Sequence, residues 1–176
     1  ALTGNAMYLY STKPTVSLAA GSPSGGGSPS TGETVFKFDA VSANTFNLNI
    51  NAIRFTLSSN STSSAQTLDD GIWYLYKGAD TTAIGSGTPF IAANTQAYGY
   101  LAIYPTSGFT VGNSSATYTL KGYTAGMNIS GTAVENLTVS IANNDFYWDD
   151  SVDITGSSNA NQKTLNLPVT GGTLSY

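Results

Sequence analysis

The chain has 176 residues, 40% of them hydrophobic, so one domain with a substantial core is expected. Charged residues are only 9%, against roughly 25% in ordinary soluble domains, and the net charge is −4 with six Lys+Arg, so a nucleic-acid backbone has no basic stripe to meet. Cys and His are absent, which excludes disulfides, zinc–thiolate sites, thiol nucleophiles and the commonest catalytic base; no run approaches the roughly 18–20 apolar residues of a membrane span.

Read in chain order, Ala1 follows neither an initiator Met nor a signal peptide and reads as the start of a processed, exported chain or of an excised module. Residues 1–19 hold two strand-like pieces, AMYLY and PTVSLA, with Met7, Leu9, Val16 and Leu18 at alternating spacing and Tyr8 and Tyr10 between. Residues 20–32, AGSPSGGGSPSTG, read as a low-complexity linker, because Gly and Ser are flexible and Pro cannot join a ladder. Residues 33–176 read as a β body. TVFKFD opens it. In FNLNINAIRFTLS the apolar set passes from Leu48 and Ile50 to Ile53, Phe55 and Leu57, a change of parity that predicts a bulge near Asn51-Ala52 or a corner. IWYLYKG, YGYLAIY, ATYTLKGY and ENLTVSIAN follow as short β-branched or aromatic runs between turn residues.

The last stretch, NLPVTGGTLSY, contains LPxTG at Leu167 to Gly171, the signal that sortases cut when they attach proteins to a Gram-positive wall. Such a signal needs a membrane stretch and a basic tail after it, and only Gly172 to Tyr176 follow here. Leu165, Leu167 and Val169 alternate as a strand, Gly171-Gly172 allows a bulge, and Leu174 and Tyr176 restart on the other parity, so the segment reads as a strand, with Pro168 at an edge or a strand end. The fold expected is all-β: a two-sheet sandwich, Ig-like or jelly-roll, with a tethered N-terminal strand and a core of Leu48, Ile50, Phe55, Leu57, Leu120, Leu137, Val139, Ile141, Leu165 and Leu167.

Few residues are suited to chemistry. NNDFYWDDSVD concentrates Asp145, Asp149, Asp150 and Asp153; Asp149, Asp150 and Asp153 are the candidate ligands of a structural Ca²⁺, which takes six to eight oxygens, although Asx turns would use the same residues. No organic cofactor is implied. Glu33 and Glu135 are the only glutamates, and without His a Ser triad cannot form, so the chain is read as a non-enzyme. Aromatic residues recur at Trp73, Tyr74 and Tyr76, at Tyr98, Tyr100 and Tyr104, and at Phe146, Tyr147 and Trp148; alternate members should fill the core, and outward ones could stack on sugars. Sequons at Asn60, Asn113, Asn128 and Asn136 are candidate glycosylation sites.

STKPTVSLAAGSPSG, VFKFDA, LNINAIRFTLS and LNLPVTGGTLSY, above all KPTV at Lys13 to Val16 and the LPVTGG close, resemble repeated Ig-like modules in secreted surface proteins of candidate-phylum (Patescibacteria-type) bacteria. The resemblance implies an extracellular β-sandwich and carries no catalytic residues. The function expected is a structural subunit of an extracellular filament or cell-surface array, a homopolymer in which Met7, Tyr8, Leu9, Tyr10, Val16 and Leu18 pair with a neighbouring subunit by strand addition. The alternative is an adhesin or carbohydrate-binding module with glycans as partners.

Overall fold

A computed structural model describes residues 12–60, 68, 70–91, 98–106, 109–127, 134–150, 162–163 and 167–176. Among them there is no helix. The strands are β1 (Pro14–Leu18), β2 (Gly25–Gly26), β3 (Glu33–Ser42), β4 (Leu48–Ser59), β5 (Trp73–Lys77), β6 (Gly85–Gly87), β7 (Phe90–Ile91), β8 (Tyr98–Ile103), β9 (Thr110–Val111), β10 (Ala116–Gly122), β11 (Asn136–Ile141), β12 (Phe146–Asp149), β13 (Gln162–Lys163) and β14 (Val169–Ser175). They form two sheets packed face to face, the expected sandwich. The first sheet has the order β1-β3-β10-β5-β6, and the second runs β13-β12-β4-β11-β14-β2, with β8 and β9 also paired to β4 and β7 to β8.

Strand β4 organises the second sheet. Ile53 is opposite both Phe146 and Ile103, and Thr56 is opposite both Ser140 and Tyr100. So β11 and β12 line one edge of β4, while β8 and β9 line the other. Between β11 and β12 the chain makes a tight excursion at Ala142 to Asp145, closed by the Asp145 N–H donating to the Ala142 carbonyl (3.1 Å) and by Asn144 at φ 66°, a left-handed conformation that Asn tolerates better than most residues.

Both parity changes legible in the sequence are bulges. Tyr147 pairs with Ala52 and Trp148 with Ile50, leaving Asn51 over, so Ile50 and Ile53 both point inward. Thr138 pairs with Thr173 and Ser140 with Thr170, so Gly171 and Gly172 oppose Val139. Gly171 is required there: a Cβ would lie 2.8 Å from the Phe36 ring and 3.1 Å from the Val139 carbonyl. Pro168 sits immediately before β14, where a missing N–H costs no ladder bond.

One apolar cluster fills the space between the sheets and contains every expected core residue that is described; Leu165 lies outside the described residues. Its centre is aromatic. Tyr118 stacks on its register partner Phe38 with ring centroids 5.2 Å apart, and Phe109 meets Tyr118 edge-on at 5.2 Å. Phe36, Phe55 and Phe146 complete the group around Phe38. The Tyr118 hydroxyl is buried with no hydrogen-bond partner among the described residues, and burial pushes its pKa up to about 12.

The segment 20–32 is not a free tether. Leu18 is followed by a turn in which the Ser22 N–H donates to the Ala19 carbonyl (3.1 Å), with Gly21 at φ 75°. The chain then crosses to the second sheet, where Gly25-Gly26 pairs in parallel with Leu174-Ser175 and the Gly27 N–H donates to the Ser175 carbonyl at 2.7 Å. Ser28 N–H donates to Glu33 Oε1 (2.8 Å), and Ser30 exchanges bonds with Thr124. The composition promised flexibility, but partners remote in sequence hold the backbone down. The stretch is one of the links between the two sheets.

Candidate functional site

The two described ends of the chain are at opposite ends of β3. At one, the entry pole, the Thr12 hydroxyl shares a hydrogen bond with Ser42 (2.8 Å) and accepts from the Asn44 N–H (3.1 Å), and the Ala43 N–H donates to the Lys13 carbonyl (3.0 Å). At the other, the exit pole, the Tyr176 hydroxyl donates to Glu33 (2.8 Å) and its backbone exchanges two hydrogen bonds with Glu135. Glu33 and Ser42 begin and end β3, whose length at ~3.3 Å per residue separates the poles by about 30 Å. Each pole exposes apolar side chains: Phe46 at the entry, Ile72 and Val134 at the exit.

Two strands, β1 and β2, each form a sheet edge. β1 forms one edge of the first sheet, paired antiparallel with β3 of its own chain from Pro14↔Ser42 to Leu18↔Phe38. Val16 is buried there, whereas Leu18, on the same face by alternation, is 45% exposed. Met7, Tyr8, Leu9 and Tyr10 lie outside the described residues. The second free edge is β2 at the exit pole, exposed and paired among the described residues only on its β14 side. Gly25 and Gly26 present bare backbone; a Cβ on either would meet nothing within 4 Å.

The outer face of the first sheet carries a groove. Trp73 and Leu75 point into the core, so alternation puts Tyr74 and Tyr76 outside, their rings 6.5 Å apart. Tyr76 is opposite Thr119 and Tyr74 opposite Lys121. The Lys121 ammonium stands 4.9 Å from the Tyr76 ring centroid. After β5 the chain turns through Gly78 (φ 58°) to Thr81, fastened by the Gly78 N–H to the Thr117 carbonyl (2.7 Å) and the Asp80 N–H to the Lys77 carbonyl (3.0 Å). The turn and the sheet border an open groove of about 340 Å³, lined by Asp80 and Thr81 from the turn and by Tyr76, Thr119 and Lys121 from the sheet.

The outer face of the second sheet has a feature the sequence did not signal. Arg54 donates to buried Asp145 at 2.9 Å and lies 5.8 Å from the Tyr100 ring centroid, and Tyr100 packs on Phe90 at 5.2 Å. The hydrogen bond to Asp145 holds the guanidinium even more firmly protonated than usual. Only the three-dimensional pairing of β4 with the Ala142–Asp145 excursion brings these two charges together.

The remaining sequence candidates separate. Both oxygens of Asp149 accept side-chain amides, from Asn49 (3.1 Å) and Asn51 (3.0 Å); Asp150 is buried and Asp153 lies outside the described residues. Among the described residues no three acidic side chains gather as a metal site. Asn113 is exposed at the entry pole, next to Gly112, whose carbonyl accepts from the Ser42 N–H. Asn60 and Asn136 are at the exit pole, where the Asn60 amide bonds the Val134 carbonyl and the Asn136 N–H and Asn136 accepts from Ser175. Asn128 lies outside the described residues. The LPxTG letters run into β14, with Leu167 and Val169 buried.

Comparison with family models, with curated proteins and with solved structures gave no match.

Proposed function

We propose that this chain is a structural subunit of an extracellular filament or cell-surface array, joined head to tail to copies of itself by β-strand addition. The observation that carries the reading is the free β2 edge at the pole opposite Thr12. In this reading the apolar run Met7 to Tyr10, which precedes Thr12 in sequence, supplies the donor strand, and the bare β2 edge at the exit pole receives it. A strand from one subunit paired to β2 of the next makes a heterologous contact, which propagates as a fibre unless its rotation closes a ring. Glycine at the acceptor edge lets the incoming backbone approach closely.

The pairing role in this reading falls to Met7, Tyr8, Leu9 and Tyr10 alone, because Val16 and Leu18, expected to pair with a neighbouring subunit, pair with β3 of their own chain. The short tie between Leu18 and Gly25 supports that division. While β2 stays paired, the intervening residues reach at most ~22–25 Å, against ~35–40 Å for a free linker. Scarce surface charge reduces repulsion between stacked bodies, and the resemblance of the KPTV and LPVTGG segments to secreted surface modules agrees with an extracellular site. Sedimentation and negative-stain microscopy of the full chain test the reading: concentration-dependent polymers one subunit wide are expected, and a monomer at every concentration would contradict it.

A further inference from the structure

We infer that the groove between the Gly78–Thr81 turn and the outer face of the first sheet binds one neutral hexopyranose ring, such as the terminal residue of a glycan. Three observations carry this beyond the structural role. The first is size. About 340 Å³ is near the lower end of the ~300–1,000 Å³ of ligand sites, room for one ring rather than a chain.

The second is the set of groups. A sugar hydroxyl both donates and accepts, and a pyranose ring also has an apolar C–H side. The residues lining the groove include Asp80, whose carboxylate accepts, Lys121, whose ammonium donates, Thr81 and Thr119, whose hydroxyls do either, and Tyr76, whose ring carries the Lys121 ammonium 4.9 Å from its centroid and offers an apolar edge.

The third is charge. Among the described residues the one ion pair is Arg54–Asp145, so neither Lys121 nor Asp80 is neutralised by a salt bridge. Both face the same groove, where their charges cancel. A ligand of either sign would meet one of them as a like charge, and a neutral polyhydroxylated ligand meets neither. The turn that carries Asp80 is fixed by two backbone hydrogen bonds, so the wall is formed before a ligand arrives and little ordering is required on binding.

The test uses the full chain, labelled with ¹⁵N, titrated with methyl glucopyranoside, galactopyranoside and mannopyranoside, with glucuronate as the anionic comparison. At least one neutral glycoside should give saturable amide shifts confined to residues 78–81 and 119–121, with a dissociation constant of about 1–10 mM, the range open to so small a ligand. Tyr76→Ala and Asp80→Ala should each weaken it about tenfold or more. Asp80 is exposed, so its variant keeps the fold if Tyr76→Ala does not. No shift with any neutral glycoside, unaltered binding in Asp80→Ala, or tighter binding of glucuronate would overturn the inference. Polymer formation should be the same in Asp80→Ala and the unaltered chain, so this site and the structural role fail separately.

Discussion

The Tyr176 hydroxyl donates a 2.8 Å hydrogen bond to the carboxylate of Glu33, tying the last residue of the chain to the first residue of β3. The same carboxylate accepts from the Ser28 N–H and from the Thr124 hydroxyl at 2.6 Å. One acidic side chain therefore clamps the crossing segment, the end of β10 and the C-terminal strand. Glu33→Ala should lower stability by about 2–3 kcal/mol and Tyr176→Phe by about 1 kcal/mol in urea unfolding. Hydrogen exchange at Ser28 should accelerate in Glu33→Ala, and an unchanged rate there would refute the clamp.

Two tyrosines set the alkaline limit. Burial raises the pKa of Tyr118 from 10.0 to about 12, and burial beside the Glu33 carboxylate moves Tyr176 upward too. A phenol with a raised folded pKa contributes stability that is full below its unfolded value. For Tyr118 that contribution is lost as pH rises from about 10 through about 12. Tyr118→Phe should flatten the stability profile in that window. At pH 7 it should be neutral or stabilising by up to ~1–2 kcal/mol, because it removes a buried hydroxyl that has no partner among the described residues. A loss of stability at pH 7 would show that the hydroxyl is satisfied.

Close packing at the second bulge makes Gly171 intolerant of a side chain. Gly171→Ala pushes a methyl against Phe36 and the Val139 carbonyl and should cost about 1–3 kcal/mol. Val139→Asp, which places a charge in the core where Val139 is 1% exposed, should leave the chain unfolded. Circular dichroism melts of the two variants check both. A native-like melt for Val139→Asp would mean that β11 faces the other way.

How far the sequence disclosed this architecture depends on the range of the interactions. The change of parity across Asn51 and the pair Gly171-Gly172 are local signals, and each marks a bulge. Strands β3, β4, β5, β8, β10 and β11 are equally visible, because alternation is written into each of them. β6, β7 and β9 are too short to show a period. The hold on residues 20–32 is not legible, because Gly, Ser and Pro give no hint of the adjacent Glu33 or of the distant Thr124 and Ser175 that bond to them. In the groove, Tyr74 and Tyr76 were legible as an outward pair, but the approach of Asp80 depends on a turn whose anchor, Thr117, is on another strand.

Partial burial governs the Arg54–Asp145 pair. Asp145 is almost fully enclosed while the Arg54 side chain remains 48% exposed, so solvent screens part of their attraction. Arg54→Met should destabilise by about 1–2 kcal/mol, chiefly by leaving the buried carboxylate uncompensated. Asp145→Asn in the Arg54→Met background should recover part of the loss. A double variant no more stable than Arg54→Met would argue against that cause.

At the proposed acceptor edge, Gly26→Lys introduces a side chain where a Cβ meets nothing. The fold should melt within a few degrees of the unaltered chain, while the charged edge blocks pairing with another strand. Sedimentation velocity should then show monomers, and polymers of normal length would exclude β2 as the acceptor.

The most direct test of the central claim compares the full chain with one lacking residues 1–11 across a range of concentrations. The truncation spares Thr12, β1 and every contact given above among the described residues, and circular dichroism of the shortened chain checks that it remains folded. The account predicts polymers from the full chain and a monomer from the shortened one, with polymers restored by joining the segment back. A full chain that sediments as a monomer at every concentration, or a shortened chain that polymerises equally well, would contradict it.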